Sequence, residues 1–285
     1  MGDARLSQAT TVLEGKGYRA WVAANIKDSY GYLAGNSDES RAAAFERVFA
    51  DKQISGIICA RGGYGAMRIL PLINWAIVRD NPKFFCGFSD ITALHVAIRK
   101  EAGFVTYHGG PMPRWPDNDA ANIWNDEGFF KALSLGGKVG TVSGAPGLPA
   151  VETLVPGVAE GILEGGNLTL LASLCGTRWQ IDLRDKLLLL EDVSEAPYRI
   201  DRSLTQLALC GALAGVKGIV FGHSPTCEKS GDDEGFTLRE VIMDRLGSLG
   251  VPLIYGFPCG HSEYRATLPL GVPARLDATN GSLSF

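Results

Sequence analysis

One serine stands where a buried strand runs directly into a helix. The stretch FFCGFSDITALHVAI, from Phe84 to Ile98, begins as an apolar strand and continues from Ile91 as a helix. A serine at so tight a joint has the placement of a nucleophile elbow, in which the hydroxyl is exposed and the N–H groups of the helix start face an oxyanion. Gly87 leaves room for the turn, but Ile91 replaces the second glycine of G-x-S-x-G. Ser89 is therefore a candidate nucleophile, and a simple helix N-cap is the alternative.

A serine nucleophile needs a base, and four histidines could supply one. His95 lies inside the helix that follows Ser89, and we expect it to point away from the elbow. His108, His223 and His261 each follow a predicted strand, at the edge where α/β proteins place ligands. Spacing alone does not choose among these three.

The third requirement is a carboxylate that orients the base. Glu191 ends the apolar run KLLLLE, where an unpaired carboxylate would be costly to bury. We therefore expect Glu191 to have a partner. It is the candidate acid, and a structural ion pair or a cap is the alternative.

The loop CARGGYGAMR, residues 59–68, follows another predicted strand. Its three glycines let the backbone approach a ligand closely. The spacing does not match the G-x-G-x-x-G fingerprint, and no acidic strand end follows at the required distance, so we predict no dinucleotide and no other cofactor. A loop whose amides help to form an oxyanion hole fits better, with a tight turn alone as the alternative.

Strands and helices alternate in the first half of the chain. The helices are predicted over 5–13, 38–51, 70–78 and 91–100, and the strands over 18–25, 54–60, 83–88 and 104–109. Such alternation predicts an α/β fold with a parallel sheet covered on both faces, of the Rossmann or flavodoxin-like kind. We assign residues 1–135 to this N-terminal domain, which carries the candidate nucleophile.

The composition changes between residues 136 and 160, which are rich in glycine, proline and small side chains. We predict an interdomain linker there. Residues 161–285 form a second predicted α/β domain, which carries the candidate acid and base. Its helices are predicted over 167–174, 198–213 and 237–246, and its strands over 186–191, 217–222 and 252–257, followed by short closing strands in 266–271, 274–278 and 281–285. Two such domains leave a cleft between them, which is a common place for a small-molecule site.

Composition excludes several other classes of function. A net charge of −4 over 285 residues offers no basic surface for nucleic acid, and no apolar run is long enough to cross a membrane. The N-terminal residues lack the pattern of a signal peptide, so we expect a cytoplasmic protein. The six cysteines form no CxxC pair, and we interpret them as reduced core thiols rather than disulfides or a metal site.

Seven stretches in this order resemble the LD-carboxypeptidases, the serine peptidases that include muramoyltetrapeptide carboxypeptidase and the microcin C immunity peptidases. They are RGGYG, GFSDITAL, HGGPM, EGGNLTLLASLCGT, LLLLEDVSEAPYRIDRSLTQL, GIVFG and YGFPCGH, and the resemblance extends over nearly the whole chain, from about Gly17 to the end. Members of this family usually open with a strand and a serine-containing turn, whereas this chain begins at a helix. We therefore expect its central sheet to have one strand fewer.

The resemblance implies a catalytic triad of Ser89, Glu191 and His261, with the cleft between two α/β domains. It also implies an oxyanion hole formed by the backbone N–H groups of Gly63 and Asp90. Glu195 is the second candidate for the acid. We prefer Glu191 because it ends a strand, whereas Glu195 falls in the following loop.

The activity implied by the resemblance is release of the terminal D-Ala from a murein tetrapeptide through an acyl-enzyme. The alternatives are hydrolysis of a peptidyl-nucleotide of the microcin C type and, outside enzymes, a binding protein on the same scaffold. A peptidyl-nucleotide would be favoured by an aromatic ring that stacks on its base, and the sequence alone does not place Trp115, Trp124 or Trp179 relative to the site.

Arg199 and Arg202 are candidates for binding the carboxylate of a peptide, and a surface ion pair is the alternative for each. Asn167 is a candidate for binding peptide backbone, and a helix cap is the alternative that we prefer. We expect a homodimer, and no metal, nucleic acid or membrane as partner.

Overall fold

The structure is a computed structural model that describes residues 3–110, 118–136, 138–228 and 235–285. Its α-helices are α1 (Asp3–Gly15), α2 (Asp38–Ala50), α3 (Ala66–Ile69), α4 (Trp75–Asp80), α5 (Thr92–Glu101), α6 (Asp119–Leu135), α7 (Leu168–Ser173), α8 (Pro197–Leu209) and α9 (Leu238–Leu246). Its strands are β1 (Ser29–Tyr30), β2 (Leu33–Ala34), β3 (Gly56–Ile58), β4 (Phe84–Gly87), β5 (Thr106–His108), β6 (Thr141–Val142), β7 (Glu152–Val155), β8 (Val158–Asn167), β9 (Lys186–Glu191), β10 (Gly218–Gly222), β11 (Leu253–Phe257), β12 (Leu268–Leu270), β13 (Pro273–Asp277) and β14 (Ser282–Ser284).

The smaller of the two main sheets has the strand order β12-β5-β4-β3. Strands β3, β4 and β5 are parallel, and the register pairs Gly87 with His108. Strand β12, from near the C-terminus, runs antiparallel to β5 and pairs Leu268 with His108. Within the described residues, β3 has no neighbour on its outer side. The end of β4 and the end of β5 are therefore adjacent at one edge of this sheet.

The larger sheet has the strand order β6-β14-β13-β8-β9-β10-β11-β7. Its centre, β8 to β11, is parallel, and antiparallel strands complete both sides. The four leucines of β9 are fully buried, as expected for a central parallel strand that is covered on both faces. The register sets Asn167 beside Glu191 at the carboxyl ends of β8 and β9. The predicted α/β class and its parallel strands are confirmed.

The two sheets share one hydrophobic core. A single cluster of buried side chains contains Phe49 and Phe85 from the first part of the chain together with Leu188, Leu190 and Phe221 from the second. The crossing of β12 into the smaller sheet links the two parts again. The two sheets are therefore fixed relative to each other by packing as well as by the chain.

Three predicted features differ from the structure. The helix predicted over 70–78 is interrupted, because α3 ends at Ile69 and α4 begins at Trp75. The strand predicted over 18–25 is wrong, because these residues form turns and irregular backbone, with Trp21 63% exposed. An extended segment needs a paired neighbour to satisfy its backbone groups, and none of the described strands provides one. The predicted linker 136–160 contributes β6 and β7 to opposite edges of the larger sheet. The division of the chain into domains remains a prediction.

In the described parts of the chain, no helix is long and apolar enough to span a membrane.

The shared core predicts one cooperative unfolding transition. Phe85 is fully buried, so Phe85→Ala should lower the free energy of unfolding by about 3–5 kcal/mol. Leu209 is 81% exposed, and Leu209→Ala should change it by less than about 0.5 kcal/mol. Urea titrations followed by circular dichroism and by tryptophan fluorescence measure both values. Separate transitions for the two probes, or equal effects of the two variants, would contradict a shared core.

Candidate active site

Ser89 lies at a strained joint between β4 and α5. A single turn of 3-10 helix, Ser89–Ile91, connects them, and the backbone of Ser89 has φ +66°. This left-handed conformation is uncommon for a residue other than glycine, and such strain is concentrated at functional sites. The N-cap positions of the turn and of α5 are Phe88 and Ile91, and neither helix start receives a side-chain cap. The capping alternative for Ser89 therefore has no support, and its side chain remains available at the surface.

The glycine loop lies directly against this serine. A Cβ atom placed on Gly62 would come within 2.9 Å of Ser89 Oγ and 3.0 Å of the Asp90 nitrogen. Only glycine allows this approach, so the backbone of residues 62–63 forms one wall around the hydroxyl. The sequence identified Gly63 but not Gly62 as a site residue. The only signal for Gly62 was the pair of consecutive glycines.

Asp90 fastens the glycine loop to the elbow. Its buried carboxylate accepts a hydrogen bond of 2.7 Å from the backbone N–H of Ala66, at the start of α3. Burial raises the pKa of Asp90, and the hydrogen bond from Ala66 opposes that rise. The backbone N–H groups of Gly63 and Asp90 donate no hydrogen bond within the part of the chain that the structure describes. Neither N–H group is therefore committed to a partner among the described residues.

Glu191 and His261 form a hydrogen-bonded pair at the carboxyl edge of the larger sheet. The His261 Nδ1–H donates to Glu191 Oε2 at 2.7 Å. The Glu191 side chain is fully buried, whereas that of His261 keeps 23% of its surface exposed. Burial opposes ionisation of Glu191, but the imidazoles of His108 and His261 more than offset it and lower its pKa to about 2. The pair is therefore a buried carboxylate that orients a partly exposed imidazole.

The loop after β11 can hold His261 against the carboxylate because of one glycine. Gly260 has φ +74°, and a Cβ atom there would lie 2.3 Å from Glu191 Oε2. Any other residue would push the carboxylate away from the imidazole. The same loop is closed by a hydrogen bond of 2.7 Å from the Ala266 N–H to the Pro258 carbonyl.

The pair faces the elbow but is not bonded to it. The ring of Phe88, next to Ser89 in the chain, makes an edge contact with the His261 ring at 5.1 Å between centroids. No hydrogen bond joins His261 to Ser89, both of which lie in the described part of the chain. In unliganded enzymes such bonds are often long and tighten only when substrate binds.

The other histidines occupy different positions. His95 is fully buried and donates from Nε2 to the Gly87 carbonyl at 2.9 Å, so the expectation that it points away from the elbow strand is wrong. Burial lowers its pKa to about 3, and it remains neutral at ordinary pH. His223 Nδ1 lies 3.3 Å from Ser262 Oγ, beside the loop that carries His261. His108, at the end of β5, is fully buried near Glu191.

Several residues that the sequence singled out have other contacts. Glu195 pairs with Arg199 at 3.4 Å, and neither bonds to His261. Arg199 and Arg202 both lie over the ring of Tyr198. Asn167 caps α7 by accepting a hydrogen bond from the N–H of Leu170.

Among the described residues, no three histidine, cysteine, aspartate or glutamate side chains are placed to bind a metal ion.

Two family models match the chain. The LD-carboxypeptidase N-terminal domain matches residues 1–109, and the LD-carboxypeptidase C-terminal domain matches residues 160–276. A protein of Bacillus subtilis named probable murein peptide carboxypeptidase is 36% identical over 273 residues, which are 96% of this chain and 84% of that protein.

Solved structures agree with this match. The muramoyltetrapeptide carboxypeptidase of Oxalobacter formigenes is 28% identical and superposes with a TM-score of 0.82 over 99% of this chain and 93% of its own. The microcin C7 self immunity protein in complex with aspartyl sulfamoyl adenosine is 24% identical, with a TM-score of 0.84 over 99% of this chain and 90% of its own, and shows the fold alone. The resemblance predicted from the seven motifs is confirmed. The chain belongs to the LD-carboxypeptidase family, and it is a peptidase.

Proposed function

We propose that this peptidase is a serine-type L,D-carboxypeptidase with Ser89 as nucleophile, His261 as base and Glu191 as orienting acid. The observation that carries the proposal is the 2.7 Å hydrogen bond between Glu191 and His261, beside a serine in a strained backbone conformation. A buried carboxylate on Nδ1 leaves Nε2 as the nitrogen that accepts a proton. The partly exposed imidazole lies against the ring of Phe88, the neighbour of Ser89 in the chain, and is the base that this mechanism needs.

The reaction begins when His261 Nε2 takes the proton of Ser89 Oγ and that oxygen attacks the carbonyl carbon of the scissile peptide bond. The N–H groups of Gly63 and Asp90 bind the oxyanion that forms. Removing one such donor typically lowers kcat by about 10²–10³-fold. The imidazolium then protonates the leaving amine as the C–N bond breaks, and the acyl group remains on Ser89. Water activated by His261 hydrolyses this ester and restores the serine.

The proposed substrate is a murein tetrapeptide, from which the enzyme releases terminal D-Ala. The names of the B. subtilis relative and the O. formigenes structure support this choice. The alternative peptidyl-nucleotide would need an aromatic ring for its base. Trp179 is buried in the core, Trp124 packs edge-on against Tyr264, and Trp115 lies outside the described residues. The aromatic contacts on which that alternative depends therefore lack support at Trp124 and Trp179.

A direct assay decides between the two substrates. Purified protein is incubated separately with murein tetrapeptide and with a peptidyl-nucleotide conjugate, and the products are identified by mass spectrometry. We expect release of D-Ala from the tetrapeptide. Cleavage of the conjugate alone would replace this substrate and leave the triad intact.

Arg61 is the residue that we propose for recognition of the substrate carboxylate. It is exposed and directly precedes Gly62, which packs against Ser89. Its Nε lies 3.4 Å from the position that a Cβ of Gly63 would occupy, so the guanidinium covers the proposed oxyanion loop. No carboxylate among the described residues forms an ion pair with Arg61. A guanidinium with free donors next to the reacting atoms is suited to bind a terminal carboxylate.

Replacement of the nucleophile tests the mechanism. Ser89→Ala should reduce kcat by on the order of 10⁴–10⁶-fold, because no acyl-enzyme can form. The thermal midpoint should not fall, because the substitution removes no contact that stabilises the core. Activity within about tenfold of the unmodified protein would exclude Ser89 as the nucleophile.

The two glutamates of the same segment form a matched pair. Glu191→Gln should lower kcat by about 10⁴-fold, because the amide no longer stabilises the imidazolium or selects its tautomer. Glu195→Gln should have a much smaller effect, because Glu195 contacts Arg199 instead of the imidazole. Steady-state rates on one tetrapeptide compare them. If Glu195→Gln has the much lower kcat and Glu191→Gln is nearly normal, Glu195 and not Glu191 is the acid of the triad.

The carboxylate role of Arg61 predicts a selective change in KM. Arg61→Ala should raise KM for a tetrapeptide with a free terminal carboxylate by about 10- to 100-fold, the value of a charge-assisted hydrogen bond. It should change KM little for the same peptide ending in an amide. Arg199→Ala is the control, because its guanidinium is already paired with Glu195. Equal effects of Arg61→Ala on both peptides would remove Arg61 from carboxylate recognition.

A further inference from the structure

Two buried polar groups beside the proposed triad lack partners. His108 is fully buried, and neither of its ring nitrogens has a hydrogen bond among the described residues. Glu191 Oε1, the carboxylate oxygen that does not face His261, is also buried and has none. Buried polar atoms nearly always have a hydrogen-bond partner, so two unsatisfied groups in one place require an explanation.

The two unsatisfied groups, the His108 imidazole and the Glu191 carboxylate, face each other. His108 Nε2 lies 3.8 Å from Glu191 Oε1, which is longer than a hydrogen bond but within the range of an ion pair. The opposite oxygen of the same carboxylate accepts from His261 at 2.7 Å. The carboxylate thus lies between two imidazoles, one for each oxygen. A small rotation of either side chain would give His108 a donor bond and Glu191 its second acceptor bond.

The contact also joins the two sheets. His108 ends β5, where the register pairs it with Gly87 of the elbow strand. Glu191 ends β9 in the larger sheet. The rings of Phe88 and His95 flank the His108 ring at 6.2 and 6.3 Å between centroids and restrict where it can turn. A bond from His108 to Glu191 would therefore fix the acid of one sheet relative to the nucleophile strand of the other.

We infer that His108 is a positioning residue for the triad acid, donating from Nε2–H to Glu191 Oε1. The inference rests on the proposed function, since it gives His108 a role through Glu191 and His261. A neutral imidazole with its proton on Nε2 is sufficient. The bond holds the carboxylate in the plane in which it meets His261 Nδ1, and it sets the distance between the acid–base pair and Ser89.

Two amide substitutions separate this role from packing. The amide nitrogen of glutamine reaches about as far as Nε2 of histidine, whereas that of asparagine reaches only as far as Nδ1. His108→Gln should keep kcat within about tenfold of the unmodified protein. His108→Asn and His108→Phe, which offer no donor at this position, should lower kcat by about 10- to 100-fold with KM nearly unchanged, the loss that is typical when the hydrogen-bond partner of a metal-binding side chain is removed. The phenylalanine variant keeps the ring and its packing and serves if the asparagine variant does not fold.

A measurement on the free protein, without substrate, tests the role of His108 independently of the proposed function. The Nδ1 proton of His261, hydrogen-bonded to Glu191, gives a downfield proton resonance that is identified by its loss in His261→Gln. It should persist in His108→Gln and shift or broaden in His108→Asn and His108→Phe. If the unmodified protein cleaves no tetrapeptide, the proposed function fails while this resonance still tests His108. Equal rates and equal spectra for all three His108 variants would overturn the inference.

Discussion

The buried negative charge of Glu191 is the constraint on which the rest of the site depends. A carboxylate without exposure to solvent is stable only if both oxygens are compensated. His261 supplies that compensation on one side at 2.7 Å, and His108 stands on the other at 3.8 Å. Although burial opposes its ionisation, the two imidazoles lower the pKa of Glu191. They therefore stabilise the charged form of the carboxylate that orients His261.

The architecture explains why the imidazole that this charge orients lies against the elbow, which follows a strand of a different sheet. Glu191 and the His261 loop belong to the larger sheet, whereas Ser89 follows a strand of the smaller one. The common core and the crossing strand β12 hold the two sheets in a fixed relation. Asp90 and Gly62 then set the glycine loop against the serine. Each of these contacts joins residues that are far apart in the sequence. The site therefore forms only when the whole chain is folded.

Local signals in the sequence were enough for the helices α1, α2, α5, α7, α8 and α9 and for the strands β3, β4, β5, β9, β10 and β11. The run KLLLLE placed Glu191 at a strand end, and the joint at Gly87 identified Ser89. The pairing of strands that are distant in the sequence could not be predicted, because the hydrophobic period and the composition do not reveal which strands are neighbours in a sheet. For that reason β6 and β7 were taken for linker, residues 18–25 were taken for a strand, and β8 was not predicted as an element. The helix α6 was also missed, although its N-cap residue, Asn118, is a local signal. The close approach of Gly62 to Ser89 and the meeting of His108 with Glu191 depend on the same long-range pairing.

The central claim is that His261, held by Glu191, activates Ser89. Labelling with a fluorophosphonate tests it most directly, because this reagent forms a covalent bond with a serine whose hydroxyl is activated by a base. Peptide mapping by mass spectrometry should find the adduct on Ser89 in the unmodified protein, and labelling should be lost in His261→Ala although Ser89 is still present. An adduct at another residue, or labelling of Ser89 at an unchanged rate in His261→Ala, would contradict the account.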